Sequence, residues 1–412
     1  MLFAFVLTAL ASGAAFDSSQ APATQPVRVF LDCRDCFADY VRTEVSFVDY
    51  VRDRTEADVH VIVTSTGTGS GGREYTAQFI GAGPFSGIDQ TLKAATTSSD
   101  PEDVVRRQVS NMLRIGLLNY IARGGLPQHL SVAVERDEAR AAAGAADDPW
   151  NNWVFSIRGS GSFQGEESNR ERQVSASLGA DHITADWKIT LGAQIDHESE
   201  EFDLDEDDPV NVERREREFN WLAVKGLGEH WSVGAEGNLE SSTFNNTQFG
   251  VRAAPAIEFN VFPYSAYTRR QLRFQYALGI SQVNYYEETL FGKTEETLPL
   301  HEFSVTFDQR EQWGTVEARI EAFQYLHDLE KSRLEADAEV SWRVARGFSV
   351  SGEVSASRIE DQLSLPRRGA TPEEILLRLR ELESGYEYNF SVSLTYTFGS
   401  IFSSVVNPRF GQ

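Results

Sequence analysis

From Trp150 onward apolar and polar side chains alternate with a period of two, the repeat of a strand that buries one face and wets the other. The last such stretch is the clearest. Tyr386, Tyr388, Phe390, Val392, Leu394, Tyr396 and Phe398 share one parity, and Glu387, Asn389, Ser391, Ser393, Thr395 and Thr397 share the other. The same dyad recurs in Trp153, Phe155 and Ile157, in Trp187, Ile189, Leu191, Ala193 and Ile195, and in Phe249, Val251, Ala253, Ile257, Phe259 and Val261. It returns in Leu272, Phe274, Tyr276, Leu278 and Ile280, in Phe303, Val305 and Phe307, and in Leu334, Ala336, Ala338, Val340 and Trp342. About twelve segments follow this rule between residues 150 and 400, and a tail, 401–412, follows them.

Between residues 26 and 135 the period is mixed. Residues 27–31 alternate as a short strand, and Phe37, Tyr40, Val41, Val48 and Val51 recur at helical spacing, predicting one helix over that stretch. Val59, Val61 and Val63 mark a second strand, and residues 75–80 return as its hairpin partner. Asp100-Pro101-Glu102-Asp103 supplies an N-cap, a proline in the first turn and acids that suit the helix dipole. The helix it opens buries Val105, Val109, Met112, Leu113, Gly116, Leu117 and Tyr120, and stops at Arg123-Gly124-Gly125. Residues 130–134 supply a last strand, so the predicted order is β-α-β-β-α-β, a small α/β domain. Residues 136–149 hold no large apolar side chain and read as a linker.

Residues 1–16 form the one long apolar run, too short to cross a bilayer comfortably, and it ends in Ala11-Ser12-Gly13-Ala14-Ala15. Those small residues predict a cleavable signal peptide over 1–15; the missing basic segment before it leaves an uncleaved anchor or a misassigned start as alternatives. No other stretch reaches eighteen apolar residues, so a membrane can be crossed only by strands in a closed barrel. A soluble sandwich also alternates. Three features favour the membrane: segments near the ~10 residues a tilted membrane strand needs, aromatics gathered near segment ends, and links of alternating length. Tight turns near 184–186, 228–230, 263–264, 309–311 and 345–347 are separated by longer polar links such as 200–212, 284–297 and 360–381.

The chain of 412 residues carries a formal charge of −24 and a pI near 4.7, with no basic stripe, so nucleic acid is excluded as a partner. At this point residues 150–400 resemble a Gram-negative outer-membrane β-barrel protein of the up-and-down, antiparallel kind. The last strand resembles the sorting signal that the barrel-assembly machinery reads: Ser391, Tyr396 and Phe398 match it, whereas Ser393 stands where glycine is usual and a tail follows. The resemblance implies a transmembrane barrel in outer-membrane lipid, an α/β domain in the periplasm with an unidentified partner there, and the assembly machinery as a partner during biogenesis. The domain also resembles, by element order, small periplasmic domains such as the amino-terminal domain of translocation protein TolB.

Candidate chemistry is sparse. Cys33 and Cys36 follow a strand and precede a helix, which suits a thioredoxin-like redox pair or a small structural disulfide; Arg34-Asp35 between them and the absent preceding βαβ unit favour the disulfide. Gly67-Thr68-Gly69-Ser70-Gly71-Gly72 lacks the lysine and the following helix of a phosphate loop and reads as a hairpin turn. Asp203, Asp205, Glu206, Asp207 and Asp208 break the calcium-loop pattern and read as a solvated acidic link. A lipid hydrolase would need serine and histidine to converge, yet His301 and Ser304 have opposite parity. No catalytic residue, cofactor or metal site is expected. The polar parity carries the candidate lumen residues Arg158, Glu236, Arg252, Glu258, Arg273, Arg333, Glu335, Asp337, Glu339 and Glu353, of both signs, which suit a hydrated passage or a lumen closed by ion pairs. The expected function is a channel or transport-associated barrel with the α/β domain docking or gating. A structural or assembly anchor is the alternative, and a membrane lipid hydrolase the third reading.

Overall fold

The computed structural model describes residues 26–33, 36–69, 71–124, 150–167, 169–202, 210–369, 382–400 and 402. The expected signal peptide, the strand expected at 130–134, the linker, the acidic run at 203–208 and all of the tail but Phe402 lie outside them.

The N-terminal unit is a five-stranded sheet with two helices on one face. Its strands are β1 (Arg28–Cys33), β2 (Asp49–Tyr50), β3 (Val59–Gly67), β4 (Arg73–Gly81) and β5 (Asp89–Ala95), in the order β2-β1-β3-β4-β5. β1 is parallel to β2 and β3, and β3, β4 and β5 form an antiparallel meander. Helices α1 (Ala38–Glu44) and α2 (Glu102–Gly124) cover Val29, Val59, Val61, Val63, Tyr75, Ala77 and Phe79, and the α2 face Val109, Met112, Leu113, Leu117 and Tyr120 is buried on them. The Tyr120 hydroxyl donates to the carbonyl oxygens of Phe79 and Ile88, so the buried phenol keeps its hydrogen bonds.

Two elements differ from expectation. The helix expected through Val51 ends at Glu44; Asp49 and Val51 instead donate backbone hydrogen bonds to Val27 and Val29, and three β-branched residues, Val45, Val48 and Val51, suit that extended path. β5 carries no hydrophobic period that would announce it, because Leu92 is its one large apolar residue.

The rest of the chain is one twelve-stranded antiparallel sheet in which every strand pairs only with its neighbours in sequence. Its strands are β6 (Trp153–Gly165), β7 (Asn169–Ile183), β8 (Trp187–Phe202), β9 (Val210–Gly226), β10 (Trp231–Ser242), β11 (Thr247–Asn260), β12 (Arg270–Tyr285), β13 (Glu295–Glu311), β14 (Gly314–Tyr325), β15 (Ser332–Ala345), β16 (Phe348–Ile359) and β17 (Tyr386–Tyr396). Lengths of 11 to 17 residues exceed the usual ~5–6 of globular strands. The apolar parity points outward and is bare: Ile157 is 85 % exposed, Tyr388 73 % and Phe390 67 %. Such a face has no place in water and suits lipid. No described helix is long and apolar enough to cross a membrane.

The polar parity faces inward, because the sheet curls. Arg252 on β11 lies over the Phe323 ring on β14, and one cavity is lined by residues from β8 through β14. The curl leaves a seam: among the described residues β6 and β17 have no partner on their outer edges.

Candidate functional site: a polar lumen closed at both ends

All ten candidate lumen residues lie on the inward parity, and the registers arrange them in rows. Asp308, Glu317, Glu339 and Glu353 stand opposite one another across β13, β14, β15 and β16. Like charges in such positions repel unless water or cations screen them. Within the row, Arg310 pairs with Glu317 at 2.9 Å. Asp337, Glu339 and Glu353 line a cavity of about 270 Å³. Glu335 sits on the same inner face of β15 and is 3.4 Å from Arg333.

Basic residues are placed among these acids. Arg252 bonds Glu302, a carboxylate the sequence list omitted although its parity is right. Arg273 lies 3.6 Å from Glu258, which also accepts from the Tyr264 hydroxyl at 2.8 Å. Glu236 lines a wider space of about 680 Å³ with Lys188, Glu218, Arg252, Glu302 and Glu321. Arg158, on the edge strand β6, is exposed and apart from the others. The arrangement is a charged interior with an acidic surplus, partly neutralised by ion pairs.

The far end, where the longer links lie, is crossed by a strap from the β16–β17 link. Its Leu363 and Leu365 are buried, as are Leu298, Leu300 and Tyr285, which point inward from β12 and β13. Asn246 fastens it: the side-chain amide donates to the carbonyl oxygens of Glu287 (3.0 Å) and Ser364 (2.8 Å), and its Oδ1 accepts from the Glu287 N–H. Asn246 has φ 55°, a left-handed conformation that asparagine tolerates better than most residues. Ion pairs Arg333–Asp361, Arg367–Glu288 and Arg368–Glu287 complete the fastening. Sequence reading took 360–381 as a plain polar link; the Leu-x-Leu step at 363–365 is the signal that part of it turns inward.

The near end, where the tight turns lie, is covered by the α/β domain. Its sheet offers the barrel the face without helices, and His60, Ile62, Thr64 and Thr76 on that face are 3 %, 3 %, 8 % and 2 % exposed. Arg343 at the end of β15 bonds Asp32 at 2.6 Å, Arg346 bonds Glu56 at 2.8 Å, and the Gly347 N–H donates to Asp53 at 2.5 Å. Farther round the rim, the Tyr267 hydroxyl donates to Glu74, and the Gly-rich hairpin tip brings Gly69 against Ile183 and Gly71 near Val154. On the other side of the seam Val51 forms a β-bridge with Phe402. The glycine run works as a thin hairpin tip; a Cβ on Gly69 would stand 2.5 Å from that of Ile183.

Three groups in this contact are perturbed, Asp53 among them: burial pushes it up, but hydrogen bonds from Thr55 and Gly347 and the charge of Arg346 hold it below its usual range. Burial pushes Asp32 up, but hydrogen bonding from His60 and the charge of Arg343 outweigh it and hold the carboxyl below its usual range. Burial pushes His60 below its ordinary value, and Arg343 and Arg54 add to that, against the opposing bond to Asp32.

The remaining candidates fall as follows. Cys33 and Cys36 are joined as a disulfide, with Cys36 buried in the domain core. Ser391 and Tyr396 lie on β17 opposite Glu353 and Phe348, and Phe398 stacks on Tyr396 just past the strand. His301 points outward to Tyr276 and Gln324, whereas Ser304 is buried inside, so the two do not converge.

No known protein family matches the chain, and no curated protein does. Among solved structures it is similar to a NanC porin, at 10 % identity and a TM-score of 0.28 over 60 % of this chain and 99 % of that one, a likeness too distant to carry an argument.

Proposed function

We propose that the chain is a channel of the outer membrane, with the α/β domain on the periplasmic side as the gate of its near mouth. The observation that carries this is a charged interior stopped at each end by a separable piece, the strap and the domain, instead of being filled by its own side chains. An outward apolar face on strands of this length supports a bilayer setting. The row Asp308, Glu317, Glu339 and Glu353 favours cations, as carboxylate rings do in other pores.

In a planar bilayer the purified chain should give small, cation-preferring currents, larger after removal of residues 17–149. Neutralising Asp337 and Glu339 should weaken the cation preference. A folded, heat-modifiable protein that stays silent at every voltage, with and without the domain, would overturn the channel reading. The ion pairs Arg252–Glu302 and Arg333–Asp361 then favour the second reading, a barrel that only anchors the domain.

A further inference from the structure

Two ion pairs, Arg343–Asp32 and Arg346–Glu56, cross the contact between domain and barrel, and one histidine lies inside it. His60 on β3 stands opposite Phe30 on β1, and their rings meet edge to face at 4.9 Å. Its Nε2 is 3.3 Å from Asp32 Oδ2, and the other oxygen of that carboxylate takes the 2.6 Å bond from Arg343 of the barrel. The Arg343 guanidinium also lies over the Phe30 ring, 5.3 Å from its centre. His60 Nδ1 is buried and has no hydrogen-bond partner.

The charged groups that act on His60 are Asp32 from β1, Arg54 from the turn before β3 and Arg343 from β15, and the Arg28–Asp58 pair lies on the same sheet face at the start of β1 and β3. On β4 its same-face neighbours, Ile80, Gln78 and Thr76, carry no charge. Arg310 and Glu317 meet the same sheet face farther along, at a cavity of about 240 Å³ beside Ile62, Val63, Thr64 and Ser65. With neutral imidazole the cluster is balanced: Nε2–H donates to Asp32, and one carboxylate serves one cation. Protonation places a second cation on the carboxylate that holds Arg343, and puts an N–H on Nδ1 where no acceptor exists.

We propose that His60, Asp32 and Arg343 are an acid-released latch, closed while His60 is neutral and opened when it takes a proton, so that acidification lifts the α/β domain from the barrel mouth. The latch specifies how the gate proposed above would be regulated and rests on that reading, although undocking is observable without any current.

The direction follows from linkage. In the docked state burial and the charge of Arg343 hold His60 below its ordinary value, and undocking removes Arg343 and opens that sheet face while Asp32 stays beside the ring, so the undocked domain takes the proton more readily and the docked state loses its advantage as pH falls. Each unit by which docking lowers the value shifts the docked-to-undocked ratio about tenfold. Asp32 acts in a separate and lower window, near and below its ordinary 3.8.

The test uses the full chain in lipid, with spin labels at Ile115, exposed on α2, and at Glu229 in the rim turn between β9 and β10. At pH 8 one short distance is expected; between pH 6.5 and 5 a longer population should grow. His60→Gln, which keeps a neutral donor for Asp32, should stay docked through that range. Arg343→Gln should populate the long distance already at pH 8. A distance that is constant from pH 8 to 5, or one that changes equally in His60→Gln, overturns the latch, the second outcome moving the effect to surface pairs such as Arg346–Glu56. Distances that shift while currents do not leave the latch standing and remove the gate; a latch that fails in a conducting protein leaves the channel standing.

Discussion

Gly116 sits on α2 where a Cβ would come within 2.0 Å of the Phe79 ring, and its carbonyl oxygen accepts from the Gln90 side chain. Phe79 is itself stacked on Tyr120, so the ring has nowhere to go. Alanine gains about 1 kcal/mol of helix propensity over glycine but pays overpacking of about 1–3 kcal/mol. Gly116→Ala should therefore lower the domain's urea midpoint, while the barrel's heat-modifiability is unchanged. Gly116 was legible as part of the α2 stripe, because helical spacing shows which face is buried. The tightness was not, since it depends on a ring from β4. The disulfide follows the same division: C-x-x-C after a strand reads as redox pair or bridge, and the Cys33–Cys36 bond closes it beside the domain core. Replacing Cys33 and Cys36 with serine should cost the domain about 2 kcal/mol and leave the barrel inserted. Insulin reduction by the wild-type chain would assign the pair to catalysis instead.

At the level of elements, parity was the strongest signal. It located the twelve strands and the inward side of Arg252, Glu258 and Asp337, because a strand that faces two media must alternate. It failed at β5 and at the helix expected through Val51, where backbone pairing outweighs side-chain periodicity. It also said nothing of the strap, whose leucines are meaningful only once β13 has turned Leu298 and Leu300 inward. Asn246 makes three side-chain hydrogen bonds, one to the strap at Ser364 and two to Glu287 beside it, and losing them should cost about 1–3 kcal/mol. Trypsin added to cells should then cut after Arg367 or Arg368 roughly ten times faster in Asn246→Ala than in the parent. An unchanged rate would mean that the ion pairs and the backbone hydrogen bonds of Leu365 and Arg367 with Leu290 and Glu288 keep the strap in place without it. The seam yields another expectation. Unpaired backbone groups in lipid cost several kcal/mol each, and an even strand count leaves β6 and β17 antiparallel, ready to pair. Cysteine at Ser391 should crosslink in the membrane with one of a series at Ser156, Ser160 and Ser162; no crosslink across the series would mean that the edges stay apart or take another strand.

For the whole molecule, the start of β6 and the segment beyond β17 both meet the domain at the near end, so the start and finish of the barrel are brought together by a unit made before either. The contacts that achieve this are very distant in sequence: Asp32 reaches Arg343 across 311 positions and Asp53 reaches Gly347 across 294. With the domain in the periplasm, protease on intact cells should reach the 203–209 link and spare the domain; cleavage confined to 136–149 would invert that orientation.

The Val51–Phe402 bridge joins one of the earliest strands to the segment beyond the last one. It sets an order in time, because the domain precedes its landing place in the chain and is complete before that landing place is assembled. Through that interval the sheet face, on which Asp32, His60, Thr64 and Thr76 are interspersed with Phe30, Ile62 and Ile80, must survive in water, undocked and without attracting other chains. A greasy face would bind the finished rim more tightly but would aggregate during the wait. The polar, titratable character of the lid is thus suited to its own biogenesis, and a surface that can wait unattached is also one that can be released again.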